Sequence, residues 1–229
     1  KEITEAFRDE FKQVKDIIGK YDANASRDEI GTWIVGRLHS EAALGMRSSE
    51  VNKLTPSSVK VEKGTSGEPR YVIDITSKIA KKGTHARKVE IGKEAYEAIQ
   101  NLLIKDGINP KDKKVKFLSE QKFRNNIVDK IDYGSDWGFT KRLDDVRKRL
   151  RTKSVTGDLQ IVGREFEPTI NYFFGHELGS TGGSGITAKY VQGLDDVKKH
   201  DIAKVLRHLM DGDMTPESGL ILLRKLTAG

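Results

Sequence analysis

The run RYVIDITSK at residues 70–78 alternates β-branched and polar side chains, a period of two that marks a strand with one buried face. Downstream, ARKVEI at 86–91 repeats the alternation. The basic stretch 80–85 between them carries Gly83 and reads as a hairpin tip. A shorter extended piece at 59–61 sits in the turn-rich passage 56–67, so three short strands lie close together in the chain. Almost everywhere else the apolar period is helical. The expected class is therefore α+β, mostly α-helical, around a small antiparallel three-stranded sheet.

The helical segments follow from spacing. Ile3, Phe7, Phe11, Val14 and Ile18 recur on one face across 2–20. Ser26 with Glu29 three residues later is a capping box for a helix at 27–41, whose inward residues are Ile30, Trp33, Ile34, Val35 and Leu38. Gly45 supplies a bend, and Ser48 is expected to cap a helix carrying Glu50, Val51 and Leu54. The segment 93–104 is amphipathic through Ala95, Ile99, Leu102 and Leu103, and Gly107 and Pro110 end it. A short extended piece is expected at 115–118 and a helix at 121–131, followed by a loop at 134–138. Further helices are expected from Pro168, at 195–209 and at 216–226. The segment 139–153 has an apolar stripe of Leu143, Val146 and Leu150 but seven bases against two acids, an excess for a merely solvated face.

The chain has 229 residues, enough for one domain or two small ones. Its formal charge of +7 favours a polyanionic partner, because each neutralised phosphate releases counterion. The absence of cysteine excludes thiol catalysis, disulfides and cysteine-ligated metal. The five histidines lack metal-ligand spacing, and no cofactor or metal is expected. No phosphate-cradling glycine loop and no nucleophile elbow appears. No apolar run approaches the roughly 20 residues of a membrane span. An RNA-binding domain of the aromatic-strand type fits poorly, because only 7% of residues are aromatic.

What remains is a tyrosine, Tyr190, with dispersed bases and one imidazole, His176, in FFGHELGSTGGSGITAKYVQ. Phosphodiester transfer to a tyrosine hydroxyl needs guanidiniums for the non-bridging oxygens and a general acid for the departing 5′ oxygen, such as a lysine on a loop tip. A further donor to the phosphate completes the set.

These residues occur in an order that resembles the tyrosine recombinases (phage integrases). AALGMRSSEVNKL is similar to the first box of that family, and Arg47 matches its first arginine and Glu50 its supporting acid. The hairpin at 70–91 looks like the sheet whose turn carries the family's lysine. FFGHELG followed by Tyr190 resembles its last box, which makes His176 the phosphate donor and Tyr190 the nucleophile. The resemblance spans about 150 residues. The lysine it implies is Lys78, with Lys82 in the alternative Lys-Gly-x-x-x-Arg pattern; Lys81 and the other hairpin lysine would then contact DNA backbone. The family's His-x-x-Arg box is not literal. Lys148 and Arg151 are its expected equivalents, with Arg147 as the other candidate for the second arginine. The glycine-rich loop 179–185 lengthens the interval between His176 and Tyr190 beyond the family's usual one.

The resemblance implies site-specific recombination of double-stranded DNA through a 3′-phosphotyrosyl intermediate, without ATP or metal. It implies tetramers that exchange a C-terminal helix, a role for which 215–226 is apolar enough. It also implies a cytoplasmic protein acting on DNA, with no membrane association. Residues 1–229 are expected to form a single catalytic domain with a C-terminal helical extension at 195–229, either alone or as a fragment of a longer protein, without the family's N-terminal core-binding domain. Relatives that resolve hairpin telomeres or relax supercoils, and inactive DNA-binding relatives, carry the same boxes.

Overall fold

The computed structural model describes residues 16–41, 46–64, 66–82, 86–128 and 214–228, together with 198, 201, 202, 204, 205 and 208. Helix α1, Arg27–Glu41, opens with the expected capping box. The Ser26 N–H donates to Glu29 Oε2 at 2.9 Å, and the Glu29 N–H returns to Ser26 Oγ at 3.3 Å. All five of its predicted inward residues are buried, and the Trp33 indole N–H donates to the Gly19 carbonyl at 3.0 Å. The helix packs against α3, Gly92–Lys105, and α4, Gln121–Val128. An ionic knot locks its first turn. Arg27 Nε donates to Asp106 at 2.7 Å and Nη1 to Glu120 at 2.9 Å, so one guanidinium joins the end of α3 to the start of α4.

The sheet is antiparallel with order β1-β2-β3, formed by Val59–Lys63, Pro69–Ile75 and Arg87–Glu90. Ile73 pairs with both Val59 and Val89, which places β2 at the centre. Successive side chains leave a strand on opposite faces. Ile73 and Ile75 enter the main core against α3. The other face carries Arg70, Val72 and Asp74, where Lys60 pairs with Asp74 at 2.7 Å and Lys88 with Glu62 at 2.7 Å. Three short strands need a covered face to persist in water, and α3 supplies it with Ala95, Ala98, Ile99, Leu102 and Leu103 all buried. Each fully buried Leu or Ile contributes about 1.5–3 kcal/mol. Gly107, at φ +63, ends α3 in the left-handed region that glycine adopts without strain.

Several expected boundaries move. The central strand stops at Ile75, so Lys78 lies in a turn and not at a strand end. There the Thr76 carbonyl accepts the N–H groups of Ile79 at 3.0 Å and Ala80 at 2.8 Å, because both side chains are drawn into the core. The first strand runs two residues further than 59–61, since its pairing continues to Lys63 opposite Pro69. Residues 115–118 form no strand. The chain turns at 117–118 to bury Phe117 and Leu118, and the Lys116 carbonyl accepts from Ser119.

The C-terminal helix α5, Pro216–Thr227, has Thr215 as N-cap, its Oγ1 accepting the Ser218 N–H at 3.2 Å. Leu223 is fully buried, whereas Ile221 is 56% exposed. Of the expected helix at 195–209, the described residues 198, 201, 202, 204, 205 and 208 are helical, and Ile202 and Val205 are buried. The basic segment 139–153, the segment from Pro168 and the loop 179–185 lie outside the described residues, as do most of 2–20 and the hairpin tip at Gly83. Among the described residues no helix is long and apolar enough to cross a membrane.

Candidate functional site

Helix α2, Ser48–Val51, is a single turn whose N-cap is Arg47 and not Ser48. Arg47 is extended, at φ −105° and ψ 155°, and its carbonyl accepts the N–H groups of Glu50 and Val51 at 2.9 and 3.0 Å. Glu50, at the third helical position, folds back so that Oε2 accepts the Arg47 N–H at 2.7 Å. This is the carboxylate half of a capping box, and it fixes the backbone that presents the arginine. Met46, Val51 and Leu54 are all fully buried, so the turn is pinned by apolar contacts on both sides.

Glu50 does more than cap. Its carboxylate is completely buried and takes a two-pronged grip from Arg87 of β3, Nη1 to Oε1 at 3.1 Å and Nη2 to Oε2 at 3.0 Å. The Lys81 backbone N–H in the hairpin turn donates to Oε1 at 3.3 Å, and Arg47 Nη1 stands 3.7 Å from the same oxygen. One carboxylate therefore ties together the Arg47 turn, the hairpin and β3. Burial alone would raise its pKa. The charge and hydrogen bonds of Arg87, with the N–H groups of Arg47 and Lys81, outweigh burial and hold the carboxyl below its ordinary value. It is thus an anion that fixes two guanidiniums, not a proton donor.

The register explains Arg87. Ile75 opposes Arg87 and Ile73 opposes Val89, so the arginine leaves β3 on the same face as the core isoleucines. A guanidinium is tolerated there, at 7% exposure, because Glu50 neutralises it.

Of the residues expected from the sequence, Arg47 and Glu50 are brought together at this cluster, and the hairpin turn is joined to them through Lys81. Lys78 and Lys82 are both exposed, on either side of the buried Ile79 and Ala80. Arg147, Lys148, Arg151, His176 and Tyr190 lie outside the described residues. Sequence reasoning missed Arg87 as the partner of Glu50. The available signal was its parity with the inward residues of its strand, where an arginine needs an acid.

A second buried arginine was also missed. Arg124 of α4 is 7% exposed, and among the described residues its Nε and Nη2 have no hydrogen-bond partner. Burial lowers its pKa. It shares α4 with Phe123 and Ile127, whose core positions carry it inward. No family model, curated protein or solved structure matches the chain.

Proposed function

We propose that this chain is the catalytic part of a site-specific DNA recombinase of the tyrosine recombinase type. The observation that carries the reading is the Glu50 cluster, because it joins the Arg47 box to the lysine-bearing hairpin, two segments that the recombinase boxes also place in one site. Arg47 clamps a non-bridging oxygen of the scissile phosphate, with Arg151 as the second guanidinium, Arg147 being the alternative, and Lys148 and His176 as further donors. The Tyr190 oxygen attacks phosphorus and forms a 3′-phosphotyrosyl bond. The bond to the 5′ oxygen breaks, and that oxygen takes a proton from Lys78, or from Lys82 in the alternative assignment. A 5′-hydroxyl from a partner duplex then attacks the phosphotyrosyl bond, releasing the tyrosine. Phosphodiester bonds are equal in number before and after, so no energy source is consumed. Self-association through α5, with its exposed Ile221 and Leu222, accompanies the exchange.

A nicked suicide duplex tests this. Wild type is expected to form a covalent adduct that peptide mass mapping places on Tyr190, and Tyr190→Phe is expected to form none. An adduct that survives Tyr190→Phe overturns the nucleophile. Absence of any adduct, with duplex binding intact, leaves an inactive DNA-binding relative. Arg47→Ala is expected to abolish cleavage while retaining most affinity, since one phosphate contact among many is lost.

A further inference from the structure

Between α3 and α4 the chain runs through GINPKDKKVKFLSE, and this loop follows a fixed path. Asn109 Oδ1 accepts the Lys111 N–H at 2.9 Å, and the Asp112 carbonyl accepts the Ser57 N–H at 3.0 Å, which ties the loop to the 3-10 turn Pro56–Ser58. Phe117 and Leu118 anchor its far end in the core. Lys111, Lys113, Lys114 and Lys116 are all exposed on it.

Their density sets them apart: four lysines fall within the six residues 111–116. Lys60, Lys88, Lys93 and Lys122 each have a carboxylate, on Asp74, Glu62, Glu97 and Asp28 respectively. Among the described residues no carboxylate forms an ion pair with the four loop lysines. Of the two acids of the run, Asp112 directs Oδ1 to the backbone N–H groups of Lys114 and Val115 at 2.7 and 2.9 Å, and Glu120 accepts from Arg27 Nη1 at 2.9 Å. Four ammoniums against the one Asp112 carboxylate among them give this short, held segment a local positive excess that attracts a polyanion.

We infer that this loop is a docking surface for the phosphate backbone of duplex DNA, separate from the phosphate that Arg47 clamps. The inference rests on the DNA reading above and extends it to a residue set outside the family boxes. Lysines on flexible stems are point charges that follow a backbone without reading bases. The patch has little to offer a protein partner: it carries no aromatic anchor, and Val115, 39% exposed, is its one exposed large apolar side chain. The contact therefore positions DNA and is indifferent to sequence.

The test compares wild type with the variant carrying K111Q, K113Q, K114Q and K116Q on two unrelated duplexes, by fluorescence anisotropy across a salt series. The expected result is a fall of about 2–4 in the magnitude of the slope of log Kobs against log salt, the same on both duplexes. The thermal midpoint should stay unchanged, because the side chains are exposed. An unchanged slope, a loss confined to one duplex, or a wild type that binds no duplex overturns the inference. The suicide-substrate adduct separates the two readings. An unchanged slope with an adduct removes the loop surface and leaves the recombinase; a reduced slope without an adduct does the reverse.

Discussion

Where α1 meets α4, Gly31 lies against the ring of the fully buried Phe123 so closely that a Cβ would overlap it. Where α2 meets β3, Glu50 meets the Arg87 guanidinium at 3.0 and 3.1 Å with both groups out of water. The first contact is apolar and is lost in proportion to the volume that is changed. The second depends on charge compensation, so removing one partner costs more than the pair contributes. The apolar contact builds the body, and the polar one orients the candidate site on it. Arg47 is thus held by the part of the fold least able to tolerate substitution.

The sharpest break in that contrast is Glu50→Gln. It leaves two buried guanidiniums facing a neutral amide, and we expect a loss of about 3–5 kcal/mol in chemical denaturation. A loss below about 1 kcal/mol would put the cluster on the same footing as an exposed pair. Next comes Gly31→Ala. Overpacking at the Phe123 ring is expected to cost about 1–3 kcal/mol in the same measurement, and a second-site Phe123→Leu should recover part of it. Recovery would establish the steric origin, and its absence would point to α1 itself.

Arg124→Met sharpens the comparison from the other side. Arg87 has Glu50, whereas Arg124 Nε and Nη2 have no acceptor among the described residues, so exchanging Arg124 for an apolar side chain of similar length is expected to leave stability equal or raise it by about 1 kcal/mol. A loss of several kcal/mol would show that Arg124 has a compensating partner. The smallest effect is in the acid limb. Glu50 is held below its ordinary carboxyl value of 4.5, so its contribution is present above that value and is lost as the pH falls through the lower folded-state pKa. Wild type should lose stability across that window, and Glu50→Gln should lose less. Parallel curves for the two would remove Glu50 from acid unfolding.

Legibility in the sequence followed the range of the forces involved. The inward residues of α1 and α3, the Ser26–Glu29 box and the Gly107 stop were readable because periodicity, caps and left-handed glycines act within a few residues. The end of the central strand was not, since β-branched Thr76 suits a strand and no glycine or proline follows before Lys78. What ends the strand is the burial of Ile79 and Ala80, which folds the turn carrying Lys78. The N-cap was misplaced by one residue for a related reason. Ser48 has the usual side chain, but Glu50 caps Arg47 because the same carboxylate is required by Arg87. For the candidate site, Arg47 and Glu50 were legible as a box. Arg87 was not, because its spacing from Glu50 has no local period.

By itself, then, the sequence determined the helices at 27–41, 93–104 and 216–226 to within a residue or so, the presence of one small antiparallel three-stranded sheet, and the basic excess that favours a polyanionic partner. Only the tertiary structure decided which charges are neutralised within the fold. It gave Arg87 to Glu50, Arg27 to Asp106 and Glu120, and left the lysines at 111–116 without ion pairs among the described residues. Local structure depends on neighbours in the chain. Charge compensation depends on neighbours in space, and Glu50 and Arg87, 37 apart in sequence, can pair only after the core has brought their elements together.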